Sequence, residues 1–171
     1  MDLQVWKQEL RSTISRLEER SESLLGYPLD PSENVVTDPD EDVPAGLPAD
    51  LEELYRTVGA VWLPDVGNSY YIHSPGFLAE AVARGMPVEA DTDELTGRIV
   101  PFASGGDGTF YCLAADSGAV WELPEGELTK QGVYRGGMGA PRLVATGVEE
   151  FLEKLLAAAR RFVETGEITS F

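Results

Sequence analysis

The stretch that decides the fold is RIVPFASGGDGTFYCLAADSGAVWEL, residues 98–123. Three segments of it, 99–103, 109–115 and 119–123, are apolar and rich in residues that favour strands. The first two are joined by the loop SGGDG, in which glycines tolerate positive φ and Asp107 can hydrogen-bond its own backbone. Short strands joined by such turns predict an antiparallel meander at the centre of one core.

Helical patterns precede this meander. Residues 2–25 carry apolar side chains at steps of three and four, and Asp2 and Gly26 are a suitable cap and stop. A second helix is predicted to begin with Pro48 at its first position and to end at Gly59. Trp6, Trp62 and Trp121 follow apolar periods and are predicted to be core residues.

The remaining elements follow from shorter patterns. A Thr146–Glu149 capping box predicts the start of a long C-terminal helix that ends at Gly166. A short helix is predicted over 76–84, and acidic or turn-rich loops over 86–97 and 124–141. Additional strands are predicted over 60–63, 69–73 and 142–145.

The order of these elements predicts an α+β fold, a mainly antiparallel sheet packed with helices. Regular crossover helices between the strands are absent, which disfavours a parallel arrangement. We expect one domain over residues 1–171, with an N-terminal helix over 1–25, an acidic loop over 30–46 and a main body over 47–165. The loop is rich in proline, which disfavours helix and central strand.

The charge is the unusual feature of the composition. Thirty acidic residues against 13 basic ones give a formal net charge of −17. Such a chain repels nucleic acid and anionic membranes and attracts basic partners, although the charge can also serve solubility alone. The sequence shows no signal peptide and no apolar run of the ~20 residues that span a bilayer, so a cytoplasmic location is expected.

Few residues are suited to catalysis. The single cysteine, Cys112, lies mid-strand and is predicted to be a buried apolar residue, and the single histidine, His73, lies at a strand end without the partners of a hydrolytic triad. Two such residues are too few for a zinc site. An enzyme that uses paired carboxylates, as glycosidases do, stays open as a hypothesis beside those based on binding. Thirty acids offer many pairs, and no spacing selects one.

Two loops resemble ligand-binding loops in composition, but the residues around them disfavour a calcium or phosphate site. The alternating Asp38, Asp40 and Asp42 lack the glycine and distal glutamate of an EF-hand calcium loop. The glycine loop at 105–108 precedes a strand rather than a helix and contains Asp107, so it lacks the features of a phosphate loop. We predict no catalytic residue, no metal site and no cofactor.

Four blocks of the chain match, in order and spacing, the motifs of one known family. The blocks are Leu47-Pro48 with Leu51, Leu54, Tyr55 and Val58-Gly59-Ala60; Ile99-Val100-Pro101-Phe102-Ala103 with Gly106-Asp107-Gly108 and Tyr111-Cys112-Leu113; Gly118-Ala119-Val120-Trp121; and Val148-Glu149-Glu150-Phe151-Leu152. Together they resemble the SUKH superfamily, which includes the yeast glucan-synthesis regulator and many bacterial immunity proteins. The resemblance covers residues 47 to about 162.

The resemblance implies a non-enzymatic protein with a twisted antiparallel sheet that binds and neutralises a toxin, often a nuclease. A basic toxin would suit the negative charge of this chain. The predicted contact residues are Asp38, Asp40, Glu41 and Asp42, with Asp107 or the segment 89–94 as additions. The alternative is a regulatory or scaffold protein of the same fold with several partners. The sequence leaves the oligomeric state open.

Overall fold

The structure, a computed structural model, describes residues 1–40, 42–169 and 171. Within these residues the chain forms four helices: α1 Leu3–Leu25, α2 Ala49–Thr57, α3 Pro75–Ala79 and α4 Val148–Thr165. It also forms ten strands: β1 Val35–Val36, β2 Val61–Leu63, β3 Tyr70–Ile72, β4 Glu89–Asp91, β5 Thr96–Gly105, β6 Phe110–Ala114, β7 Val120–Leu123, β8 Gly126–Leu128, β9 Val133–Gly137 and β10 Arg142–Ala145.

The two long helices end as their sequences predict. The Asp2 side chain accepts hydrogen bonds from the backbone N–H groups of Gln4 and Val5 at 2.9 and 3.2 Å, which satisfies donors that a helix start leaves free. Gly26 and Gly166 close α1 and α4 in the left-handed conformation, which costs glycine little. Helices α1 and α4 pack together, and the indole N–H of Trp6 donates to the Leu152 carbonyl at 2.8 Å.

The sheet is mainly antiparallel, which confirms the predicted α+β fold. Seven strands follow one another as β1-β2-β3-β5-β6-β7-β10, and every neighbouring pair in this series is antiparallel. The first half of β5 also pairs with β4, which continues the sheet through β9 to β8. The β4–β9 pair is parallel. The meander β5–β6–β7 predicted from the sequence therefore lies at the centre of the sheet.

The two faces of the sheet carry different cores. The inner face packs against α1, α2 and α4 in one large cluster, in which the rings of Phe102 and Phe151 meet edge to face at 5.2 Å. The outer face of β5–β7 carries a smaller cluster that includes Ile99, Cys112 and Tyr134, covered by β4, β8 and β9. This second cover does not reach β2, where Trp62 is 52% exposed.

Two segments predicted as loops contain strands. Residues 86–97 include β4, and residues 124–141 include β8 and β9. These strands are short and polar, so they lack the apolar run that identifies a strand in sequence. Gly126 and Gly137 are not turn residues, because they let β8 and β9 approach where a Cβ atom would strike the partner backbone. The predicted proline-rich loop likewise contains the two-residue edge strand β1.

Two predicted helix starts are displaced. Pro48 lies at the cap of α2 rather than at its first helical position. The Thr146–Glu149 capping box is wrong, because the Thr146 backbone N–H and hydroxyl donate to Glu150, at 2.8 and 2.7 Å. Glu149 instead accepts from the Met1 ammonium at 2.8 Å. The long helix therefore begins at Val148, one residue later than a Thr146 cap predicts, and its apolar face packs on the inner core.

Candidate functional site

The first predicted contact residue, Asp38, is neutralised within the chain. Its Oδ1 accepts from the Lys7 ammonium at 2.7 Å and from the Arg11 guanidinium at 3.1 Å, and these bonds lower its pKa below the ordinary value. The Lys7 side chain is buried, and its ammonium also donates to the Thr57 carbonyl at 2.7 Å. Asp38 therefore fixes the start of the acidic loop to α1 and α2.

The end of the acidic loop is fixed as well. The Arg98 guanidinium donates to the Gly46 carbonyl at 2.9 Å, and Pro44 and Leu47 line an apolar cavity of about 280 Å³ against α3 and β5. Asp40 and Asp42 are exposed between these two anchors. Glu41 lies outside the described residues. Of the predicted loop acids that the structure describes, Asp40 and Asp42 retain a charge that no ion pair within the described ranges neutralises.

The segment 89–94 lies at the same end of the sheet as the acidic loop. Glu89 is the register partner of Arg98, which holds Gly46. The structure thus brings together two of the predicted acidic segments, and we call residues 38–40, 42–46 and 89–94 the loop end.

Asp107 lies at the opposite end. Strand β5 separates it from the segment 89–94, and its ten residues span roughly 30 Å. The Asp107 Oδ1 accepts from the Thr109 N–H at 3.1 Å, and the neighbouring Gly106 N–H donates to the Asn68 carbonyl at 3.0 Å. The β5–β6 turn is therefore joined to the β2–β3 turn, and Asp107 is not part of the surface formed by the acidic loop.

Three further acids lie at the same end as Asp107. Asp65, in the β2–β3 turn, accepts from the Asn34 amide at 2.8 Å, which places Glu33 beside it. Glu125 follows β7 and lies next to Gly108. We call Glu33, Asp65, Asp107 and Glu125 the turn edge. Within the described ranges none of the four forms an ion pair with lysine or arginine.

An aromatic pair lies one register position before the end of the β2–β3 hairpin, near the turn edge. Trp62 and Tyr71 are register partners on the outer face, and their rings meet edge to face at 5.5 Å between centroids. The prediction that Trp62 is a core residue is wrong, because the alternation of β2 directs Val61 and Leu63 inward and Trp62 outward. The same register continues from Tyr71 to Ser104 and Phe110.

A second aromatic pair lies on the outer face further from the turn edge. The His73 and Phe77 rings stack at 4.5 Å, and the Arg84 guanidinium lies 4.4 Å from the Phe77 ring centre. Burial lowers the pKa of His73 to about 4, so the ring is neutral at pH 7. Its Nε2 is buried and has no hydrogen-bond partner within the described residues.

A thiol and several carboxylates, which are reactive groups in many enzymes, lie in environments that do not favour catalysis. The Cys112 thiol is fully buried in the outer-face core, which confirms the predicted apolar role, and burial raises its pKa. A cleft of about 390 Å³ between the starts of α2 and α4 carries several carboxylates, among them Glu150. Hydrogen bonds, chiefly from the Thr146 N–H, lower the pKa of Glu150 to about 2, the direction opposite to that of a general acid.

Two further properties concern metal ions and membranes. Within the described ranges, no group of three or more His, Cys, Asp and Glu side chains is arranged to hold a metal ion. None of the helices in that part of the chain is both long and apolar enough to cross a bilayer.

Comparison with protein-family models, with curated proteins and with solved structures gave no match for this chain. The charges, the exposed aromatic side chains and their positions are the features of the chain that indicate a function.

Proposed function

We propose that this protein is a non-enzymatic binding protein for a basic polypeptide, and that it acts as an immunity protein that neutralises a basic toxin. The observation that carries the proposal is the net charge of −17 together with acids at both ends of the sheet that no ion pair within the described ranges neutralises. A negative field of this kind accelerates association with a positive surface. A nuclease fits as the toxin because its substrate groove is basic.

The placement of the acids supports binding rather than solubility alone. Asp40 and Asp42 lie at the loop end, whereas Asp107 and Glu125 lie at the turn edge. A solubilising charge has no need of exposed aromatic residues beside it, yet the turn edge borders Trp62 and Tyr71. Tryptophan and tyrosine are enriched among the residues that dominate protein–protein binding energy.

The test is protection from toxicity. The protein is co-expressed with each basic protein encoded by an adjacent gene, and growth is compared with and without it. We expect one neighbour to be toxic alone and harmless in combination, with binding that weakens as salt increases. The proposal fails if no neighbouring product is toxic and none binds the purified protein at low salt.

Charge-matched variants locate the contact. Asp40→Asn/Asp42→Asn removes two charges at the loop end, and Asp107→Asn/Glu125→Gln removes two at the turn edge. Glu19→Gln/Glu22→Gln on α1 is the control, since both residues are exposed and belong to neither group of acids. Loss of protection in one sheet-end variant but not in the control identifies the binding end. Several partners without protection would favour the regulatory alternative.

A further inference from the structure

The outer face carries two aromatic pairs, of which one is covered by an arginine of the chain and the other is exposed. The His73–Phe77 pair is covered by Arg84, whose guanidinium lies 4.4 Å from the Phe77 ring centre. The Trp62–Tyr71 pair is about 7 Å away along β3 and on the same face, because Tyr71 and His73 are two residues apart. Trp62 is 52% exposed. One pair therefore already binds a guanidinium from within the chain, and the other presents its rings to solvent.

The open pair is chemically suited to the same ligand group. Tryptophan is the strongest cation–π acceptor among the aromatic side chains, and arginine stacks on aromatic rings more readily than lysine. An edge-to-face arrangement, as Trp62 and Tyr71 adopt at 5.5 Å, presents one ring face beside one ring edge. A planar guanidinium can lie on that face while its N–H groups point outward.

Charge complementarity selects the occupant. The row formed by Trp62, Tyr71, Ser104 and Phe110 lies next to the turns: Ser104 and Phe110 are the last register pair before the β5–β6 turn, and Trp62 and Tyr71 lie one pair before the end of the β2–β3 hairpin. Asp65, Asp107 and the other two acids of the turn edge lie in those turns or next to them. A ligand on this row therefore meets the Trp62 and Tyr71 rings, with the acids of the turn edge nearby.

We propose that this row is a docking surface for an arginine-bearing segment of a basic polypeptide, with Trp62 as the anchor. The inference rests on the proposed function and names the surface that performs it. The arginine side chain stacks on Trp62 and Tyr71, and neighbouring basic side chains face Asp107 and Glu125.

The experiment measures binding of a nine-residue arginine peptide and a nine-residue lysine peptide to the full chain by calorimetry, at low salt. We expect the arginine peptide to bind more tightly. The Trp62→Ala variant should bind it about threefold to tenfold more weakly and lose most of the preference over lysine. Trp62→Phe, which retains a ring, should lie in between. Leu143→Ala is the matched control, because Leu143 is 50% exposed on the far edge strand β10.

The outcomes separate this inference from the proposed function. Equal arginine-peptide affinity in Trp62→Ala and in the wild type overturns the docking surface but leaves a binding protein driven by charge alone. No binding of either peptide to the wild type at low salt overturns both. A dimer of the wild type that dissociates in Trp62→Ala, seen by light scattering, assigns the face to a second copy and also overturns the inference.

Discussion

The loop end and the turn edge both carry acids, but the groups that contact these acids differ between the two. At the loop end the chain supplies cations to one acid, since Lys7 and Arg11 bind Asp38, and Arg98 donates to the Gly46 carbonyl. At the turn edge Asp107 and its neighbours hydrogen-bond to backbone or amide groups, which leaves their charge in place. Acidic composition alone does not show which acids keep their charge; the positions of the chain's own cations do.

The largest expected effect concerns His73, the buried histidine on the loop-end side of the outer face. Burial lowers its pKa to about 4, so between pH 6.5 and 4 the unfolded chain binds a proton that the folded chain does not. Stability should therefore fall as the pH drops through this window. His73→Phe keeps the stack on Phe77 and removes the titration. Urea unfolding from pH 7 to 4 should show the wild type losing up to about 3 kcal/mol relative to the variant. Parallel pH profiles would contradict this.

A smaller loss of stability is expected when the buried ammonium group of Lys7 is removed from the loop end. Lys7→Met keeps the length of the side chain but leaves the Thr57 carbonyl without its ammonium donor and Asp38 without its closest partner. We expect a decrease of about 1–3 kcal/mol in the free energy of unfolding, measured with urea. Arg16→Met removes the same charge from an exposed position on the same helix and should have little effect. Similar losses in both variants would indicate that charge, not the buried contact, is responsible.

A still smaller loss of stability is expected when the Arg84 guanidinium is removed from the His73–Phe77 pair. Arg84→Met removes the cation from Phe77 and its ion pair with Glu80 at 2.6 Å, both at an exposed position. We expect about 0.5–1 kcal/mol of destabilisation by thermal unfolding. Arg135→Met, an exposed arginine on β9, is the control. If the variant also gains affinity for the arginine peptide, the uncovered Phe77 ring has become a second site, which would strengthen the comparison of the two pairs.

The smallest effect on stability is expected at the turn edge. Asp107→Asn/Glu125→Gln should leave the free energy of unfolding within about 0.5 kcal/mol, because asparagine can still accept from the Thr109 N–H. The association rate with the arginine peptide, measured by stopped-flow fluorescence at low salt, should nevertheless fall. A marked loss of stability would show that these acids hold the turns together and would remove the contrast between the ends.

Local patterns predicted much of the fold. Helices α1 and α4 and the meander β5–β7 were predictable because apolar periodicity, caps and turn glycines act between residues close in sequence. The strands β4, β8 and β9 were not, because each is short and polar and is stabilised by pairing with distant segments. Their glycines resemble turn signals, yet they permit close approach of two backbones.

The candidate site was less predictable than the fold. Asp107 was identified as one exposed acid, but its association with Asp65 and Glu125 depends on which turns lie at one end of the sheet. Trp62 was assigned to the core because the segment VWL is apolar throughout, whereas strand alternation and the limited extent of the outer cover leave it exposed. The SUKH resemblance and the immunity function remain predictions.

The sequence by itself determined the net charge of −17, the long helices with their caps and the central meander. Only the tertiary structure decided which acids are neutralised and which aromatic side chains face solvent. The reason is physical: helix periods and turns depend on neighbours within a few residues, whereas Coulomb interactions and burial depend on distance in space. Lys7 and Asp38 meet across 31 positions of chain, and no local pattern in the sequence specifies that contact.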